Sequence, residues 1–174
     1  MIVRRELPAD IPAVRAVTTA AFGKDGAEEP VETWLLDELR KCDGWLPALS
    51  LVAEDAKGEI TGHVVCTRAH IAGTPTLGLG PISVRPDHQH RGVGLALMHA
   101  VLGAADALGE PLVVLLGDPR YYGRYGFVPA ADLGIESPDP SWTTAFQARP
   151  LTAYDPGNPA LKGPFTYAEP FGRL

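Results

Sequence analysis

Ile82-Ser83-Val84-Arg85-Pro86-Asp87-His88-Gln89-His90-Arg91-Gly92-Val93-Gly94-Leu95-Ala96-Leu97-Met98 passes from an apolar run through a polar loop into a glycine-led apolar segment. It reads as a strand, a connection and the start of a helix that runs from about Gly92 to Leu108 and stops at Gly109. Gly92 and Gly94 carry no Cβ, so a ligand can come close to the backbone there. The amides of a first helical turn have no partner inside the helix and lie at the positive end of its dipole. Such a turn suits phosphate oxygens.

Upstream, Ile2-Val3-Arg4-Arg5 reads as a short strand. Asp10 is placed to cap a helix with Pro12 in its first turn and Ile11, Val14, Val17 and Ala21 on one face. A second helix is expected over Val31–Lys41. Ser50–Glu54 and Glu59–Ile71 form a hairpin about Lys57-Gly58, and Thr76–Val84 is a third strand after a Gly73-Thr74-Pro75 turn. Downstream, Leu112–Leu116 is a continuous apolar run, as in a strand buried on both faces. Asp118-Pro119 opens a short helix, with Asp as cap and Pro at its first position. Phe127-Val128, Thr143–Leu151 and Phe165–Ala168 are further expected strands.

Composition sets the class. Among 174 residues, 19 are Gly and 17 Pro, yet 45% are hydrophobic and only 21% charged, which is a folded rather than a disordered balance. One domain over residues 1–174 is expected, with eight of the prolines crowded between Pro129 and Pro170. A net charge of −6 argues against a surface that coats nucleic acid. No apolar stretch reaches membrane-span length, and the start lacks a signal-peptide core, so no membrane partner and a cytoplasmic location are expected. Cys42 and Cys66 are too few for a disulfide framework. His88 and His90 lack the further ligands that a metal site would need, so no metal is expected.

Two nucleotide-binding readings fail on spacing. A dinucleotide fingerprint wants GxGxxG directly after a strand, but Leu97 stands in place of the third glycine and seven residues separate Val84 from Gly92. There is no GK[ST], so no Walker loop either.

Val84-x-Pro86-x-x-Gln89-x-x-Gly92-x-Gly94 instead resembles the Q/R-x-x-G-x-G/A acyl-CoA motif of the GNAT (Gcn5-related) N-acetyltransferases. Tyr121-Tyr122-Gly123-Arg124-Tyr125-Gly126-Phe127 resembles that family's Y-x-x-x-G-F signature, and with Gly117-Asp118-Pro119 before it the flavour is that of the YhbS-like subgroup. The resemblance is strongest over residues 2–130. It implies an α/β (α+β) fold: a mixed, mostly antiparallel central sheet flanked by helices, with its fourth and fifth strands splayed apart. It also implies acetyl-CoA as co-substrate, a small-molecule or peptide amine as acceptor, and leaves room for a homodimer.

The resemblance assigns roles. Amides of Gln89, His90, Arg91, Gly92, Val93 and Gly94 hold the cofactor pyrophosphate, with Arg91 adding charge, and Ile82, Ser83 and Val84 meet the pantetheine arm and thioester carbonyl. Tyr122, five residues before Phe127, matches the tyrosine that protonates the departing thiolate, with Tyr121 its neighbouring alternative. Thr76–Val84 lacks the glutamate that some members use as base, leaving His63, His70 and Ser83 as candidates. That gap motivates a rival reading, an acyl-CoA sensor or scaffold without turnover. Phe22–Trp34 is expected to wall the acceptor pocket with acidic residues, and Ser137–Thr143, with Trp142, to close the other side.

Overall fold

The computed structural model describes residues 1–25 and 28–174. Its larger elements are β1 (Ile2–Arg5), α1 (Ile11–Phe22), α2 (Val31–Leu39), β2 (Ser50–Glu54), β3 (Ile60–Ile71), β4 (Thr74–Val84), α3 (Val93–Ala107) and β5 (Leu112–Leu116). There follow α4 (Pro119–Tyr122), β6 (Val128–Pro129), β7 (Ile135–Glu136), β8 (Phe146–Pro150) and β9 (Gly163–Thr166). The main sheet runs β1-β2-β3-β4-β5-β8-β6. All its neighbours are antiparallel except β4 and β5.

Alternation along the strands builds two cores. Leu51, Ala53 and Val64 face α3, where they meet Leu97, Met98 and Val101. Their neighbours Val52 and Val65 face the other way and pack on Val14 and Val17 of α1 and Leu36 of α2. This is the two-residue period of a sheet covered by helices on both faces. In β5, Val113 and Leu115 join the α3 side, whereas Leu112 and Val114 join a third cluster with Phe146 and Phe165. The expected continuous burial of this strand holds as far as Leu115, and Leu116 is 44% exposed.

The parallel pair matters for function. β4 and β5 pair only at Leu77–Val113 and Gly78–Val114, while β4 continues to Val84 against β3. Beyond Gly78 the two strands therefore diverge. In the β3–β4 ladder the register slips between Val64 and Cys66, opposite Gly80-Pro81.

Several expected boundaries move, each for a local reason. Asp10 does not cap α1 with its side chain. Its carboxylate turns back to the Leu7 N–H (2.7 Å) and to Arg4 (2.7 and 3.0 Å). The second helix ends at Leu39 rather than Lys41. The β3–β4 turn is Ala72-Gly73, both at positive φ (45° and 85°), so Thr74 and Pro75 already belong to the strand. Thr143–Ala145 is not strand, because Asp139 caps a 3-10 turn over Pro140–Ala145 by accepting from the Ser141 N–H at 2.9 Å. The last strand is Gly163–Thr166, which pairs with His70 and Ile71 of β3 and with β7. Among the described residues, no helix is long and apolar enough to cross a membrane.

Candidate active site

The stretch from Ile82 to Met98 folds as strand β4, a 3-10 turn (Pro86–His88) and helix α3. Gly92 sits immediately before the helix at φ 84°, ψ 5°, a left-handed conformation that a Cβ would disfavour. The first intrahelical bond runs from the Ala96 N–H to the Gly92 carbonyl at 3.0 Å. The amides of Val93, Gly94 and Leu95 precede it and point out of the helix end. The Gln89 amide group donates to the Val84 carbonyl at 3.1 Å, tying the loop to the end of β4.

A groove of about 620 Å³ opens on this helix end, lined in part by Ser83, Gln89, His90, Gly92, Gly94 and Arg124. Ile82 and Val84 also line it, so most of the expected cofactor residues are brought to one surface. Val93 is not among the lining residues, its side chain being buried in the α3 core. Arg91 is exposed and lies away from the groove lining. The guanidinium at the groove is that of Arg124, stacked 4.8 Å over the Tyr121 ring. Reasoning from the sequence gave Arg124 no role, although it stands inside the quoted tyrosine motif.

Past the groove, in the gap where β4 and β5 diverge, lies a second cavity of about 750 Å³. Ile82 and Phe22 line both spaces, so the two adjoin. Leu79 and Pro81 come from β4, Leu115 and Leu116 from β5, and Tyr122 from α4. Pro138 and Trp142 close one side, as expected, and the tail adds Phe165, Tyr167 and Phe171.

The two tyrosines face different spaces. Tyr121 lines the groove, and its hydroxyl accepts from the Tyr125 hydroxyl at 3.1 Å. Tyr122 lines the cavity, and among the described residues its hydroxyl has no protein hydrogen bond. Its ring stands edge-on to Tyr121 (4.8 Å between centroids) and to Phe127 (6.0 Å). Burial, with a smaller contribution from Tyr121, pushes the Tyr122 phenol up to about 12. A phenol so placed stays protonated at neutral pH and can donate.

The candidate bases separate. His63 is fully buried, with Nε2 2.8 Å from the Ser50 hydroxyl and 3.7 Å from the Glu6 carboxylate, and lines neither space. Burial lowers its pKa first of all. His70 lines a different hollow beside Cys42 and Arg68. Ser83 reaches the groove but its hydroxyl lies 3.3 Å from that of Thr18. Of the acids in the expected Phe22–Trp34 wall, Glu29 is paired with Arg15, and farther along α2 Asp37 pairs with Arg15 and Arg40 and Glu38 with Lys41 and Arg173. Gly26 and Ala27 of that segment lie outside the described residues. Glu32 alone of the α1–α2 acidic residues lines the cavity, a distinction that composition does not carry. Among the described residues no group of three or more His, Cys, Asp or Glu side chains is gathered as metal ligands.

Comparison with known proteins places the fold in a family. The sequence model described as the Acetyltransferase (GNAT) domain fits residues 3–130. The chain is 34% identical over 178 residues to the uncharacterized N-acetyltransferase YhbS of Escherichia coli K12, with both chains fully covered. It is 36% identical over 136 residues to YjhQ of the same organism, covering 75% of this chain and 72% of that one. The crystal structure of Escherichia coli YhbS in complex with CoA superposes with a TM-score of 0.87 at 31% identity, over 99% of this chain and 92% of that one. A GNAT family acetyltransferase from Brucella melitensis in complex with acetyl-CoA gives 0.77 at 31% identity, over 98% and 97%.

Proposed function

The chain belongs to the GNAT acetyltransferases, and on that premise we propose that it moves the acetyl group of acetyl-CoA onto a primary amine by direct attack in a ternary complex. The observation that carries this reading is the meeting of two spaces at Ile82: a groove headed by helix-end amides, and a cavity holding a tyrosine hydroxyl with no hydrogen bond among the described residues. The groove fits the diphosphate of CoA, because free amides, the bare backbone at Gly92 and the Arg124 guanidinium all offer positive partners to anionic oxygens. The gap between β4 and β5 gives the pantetheine arm a path from groove to cavity, alongside Ile82, Ser83 and Val84.

Bound acetyl-CoA supplies a thioester carbonyl and a thiolate leaving group. The chain holds the two reactants together, which alone accounts for much of the rate of such reactions. The acceptor ammonium releases one proton to water, its nitrogen bonds to the carbonyl carbon, and the C–S bond breaks. Tyr122 gives its proton to the departing sulfur, and the second amine proton passes by way of water to the phenolate and restores it. The products are an acetamide and CoA thiol, with one proton released.

Residues 1–174 act as one unit in this reading, because β9 pairs with β3 and the tail aromatics wall the cavity. The two cysteines are free, which supports the cytoplasm as its compartment. The test is thiol release from acetyl-CoA with an amine panel, with the acetylated amine identified by mass spectrometry. Transfer that falls at least about tenfold in Tyr122→Phe, with CoA binding intact, supports the enzyme. Tight CoA binding without transfer to any amine turns the reading toward a sensor.

A further inference from the structure

We infer that the acceptor is a primary amine on an apolar aryl or alkyl body, with the Glu32 carboxylate holding its ammonium group. This rests on the acetyl-transfer reading above and narrows its acceptor.

The cavity beyond Tyr122 is far larger than an acetyl group needs, at about 750 Å³, within the ordinary range for small-molecule sites. Its walls are apolar on three sides: Leu35 from α2, Leu79 and Leu116 from the sheet, and Trp142 and Phe171 from the tail. A polyamine or amino sugar placed there would lose water from several polar groups and find few partners, at a cost for each group left unpaired. A hydrocarbon body loses nothing by the same transfer and gains in proportion to the apolar area it buries. Phe22 (39% exposed) and Leu116 (44%) are large apolar side chains left open on the cavity wall, where such a body would cover them.

Charge then sets the head group. Two carboxylates line the cavity, Glu32 and Glu169. Glu169 is held by Arg173, 3.1 Å away. Glu32, among the described residues, has no ion-pair partner, and it projects from the first turn of α2 beside buried Leu35 and Leu36. One unpaired carboxylate against an otherwise apolar wall matches one ammonium on one apolar body.

The test is steady-state thiol release with acetyl-CoA and four acceptors: 2-phenylethylamine, n-hexylamine, spermidine and a lysine-containing peptide. The expected result is a kcat/KM for the two apolar amines at least about tenfold above that for spermidine and the peptide. Glu32→Gln should raise KM for 2-phenylethylamine about tenfold and leave KM for acetyl-CoA unchanged, with Glu32→Asp recovering part of the loss. A fold defect would move both KM values, so the split isolates the charge. Leu116→Lys, which adds a cation to the same wall, should raise the amine KM alone. Preference for spermidine or the peptide, an unchanged amine KM in Glu32→Gln, or faster turnover of hexanoyl-CoA than acetyl-CoA overturns this inference while leaving acetyl transfer standing. No transfer to any amine, with CoA still bound, overturns the acetyl-transfer reading as well.

Discussion

A side chain at Gly117 would occupy the space held by the Tyr122 ring. The glycine cannot move aside, because its N–H donates to the Ala145 carbonyl (2.9 Å) and its carbonyl accepts from the Gln147 side-chain amide (2.9 Å). Gly117→Ala must therefore displace the ring. Overpacking of this kind costs about 1–3 kcal/mol of stability. The larger expected effect is on chemistry: kcat falls about tenfold, as for loss of a general acid, while the CoA dissociation constant stays within about twofold. Calorimetric titration with CoA, set beside turnover, separates the two. Equal loss of binding and turnover would remove Tyr122 from the role of acid.

The pH profile provides a second check. Burial and Tyr121 raise the Tyr122 phenol to about 12, so it remains the protonated donor throughout the neutral and moderately alkaline range. The acceptor, in contrast, must lose a proton before attack. Activity is expected to climb with pH up to about 9.5 without a falling limb, and Tyr122→Phe should keep that climb at roughly a tenth of the rate or less. A falling limb below that pH that vanishes in Tyr122→Phe would contradict the assignment. Stability has its own sign. The folded phenol pKa lies above the ordinary value of 10.0, so its contribution is complete below pH 10.0 and is lost as pH rises toward about 12.

Much of this was legible in the sequence because the relevant signals are local. The strand periods around Ser50–Val84, the glycines at 92 and 94 and the Asp118-Pro119 helix start each follow from their own residues, and they appear where expected. Arg124, Glu32 and the tail were harder for a different reason. Arg124 matters because the Tyr121 ring lies beneath it, and Glu32 because it lines one cavity with residues of the sheet and the tail. That cavity brings Glu32 together with residues as distant in the chain as Phe171 and Leu174, and no local window of sequence contains them. The strand expected at Thr143 failed on a competing local preference, the Asp139 cap before Pro140.

His63, one of the candidate bases, serves stability instead. The Glu6 carboxylate lies 2.5 Å from the Arg40 guanidinium and 2.6 Å from the Ser50 hydroxyl, whose other partner is His63 Nε2. Burial pushes Glu6 up, but hydrogen bonding by His63, Ser50 and Arg40 outweighs it and brings the carboxyl down to about 2. Burial lowers the His63 pKa, and Arg40 is the permanent positive charge that faces Glu6. The folded pKa is below the ordinary 4.5, so this contribution is present above pH 4.5 and is lost as pH falls toward about 2. Glu6→Gln leaves the Arg40 charge without its partner and should cost about 3 kcal/mol at pH 7. Denaturant melts across pH should show the gap to wild type closing between pH 4.5 and about 2. A gap that stays constant over that window would mean that the carboxylate charge contributes nothing.

Arg124 and Arg91 make opposite claims on the cofactor phosphates. Arg91 belongs to the motif that resembles the family's phosphate loop, yet its side chain is exposed and off the groove. Arg124, also exposed, lies on the groove wall with its guanidinium carbon over the Tyr121 ring, 4.8 Å from the ring centre. A guanidinium that rests on an aromatic ring loses less freedom on binding an anion than one that does not. Arg124→Ala is therefore expected to weaken CoA binding about tenfold and to reduce its sensitivity to salt, since one charge-assisted contact is gone. Arg91→Ala should change affinity by no more than about twofold, as expected for a solvated charge at the rim. Titrating CoA into both variants at low and high salt decides the matter. A larger loss in Arg91→Ala would mean that the loop swings onto the phosphates when the cofactor binds, and that charge follows the motif rather than the wall.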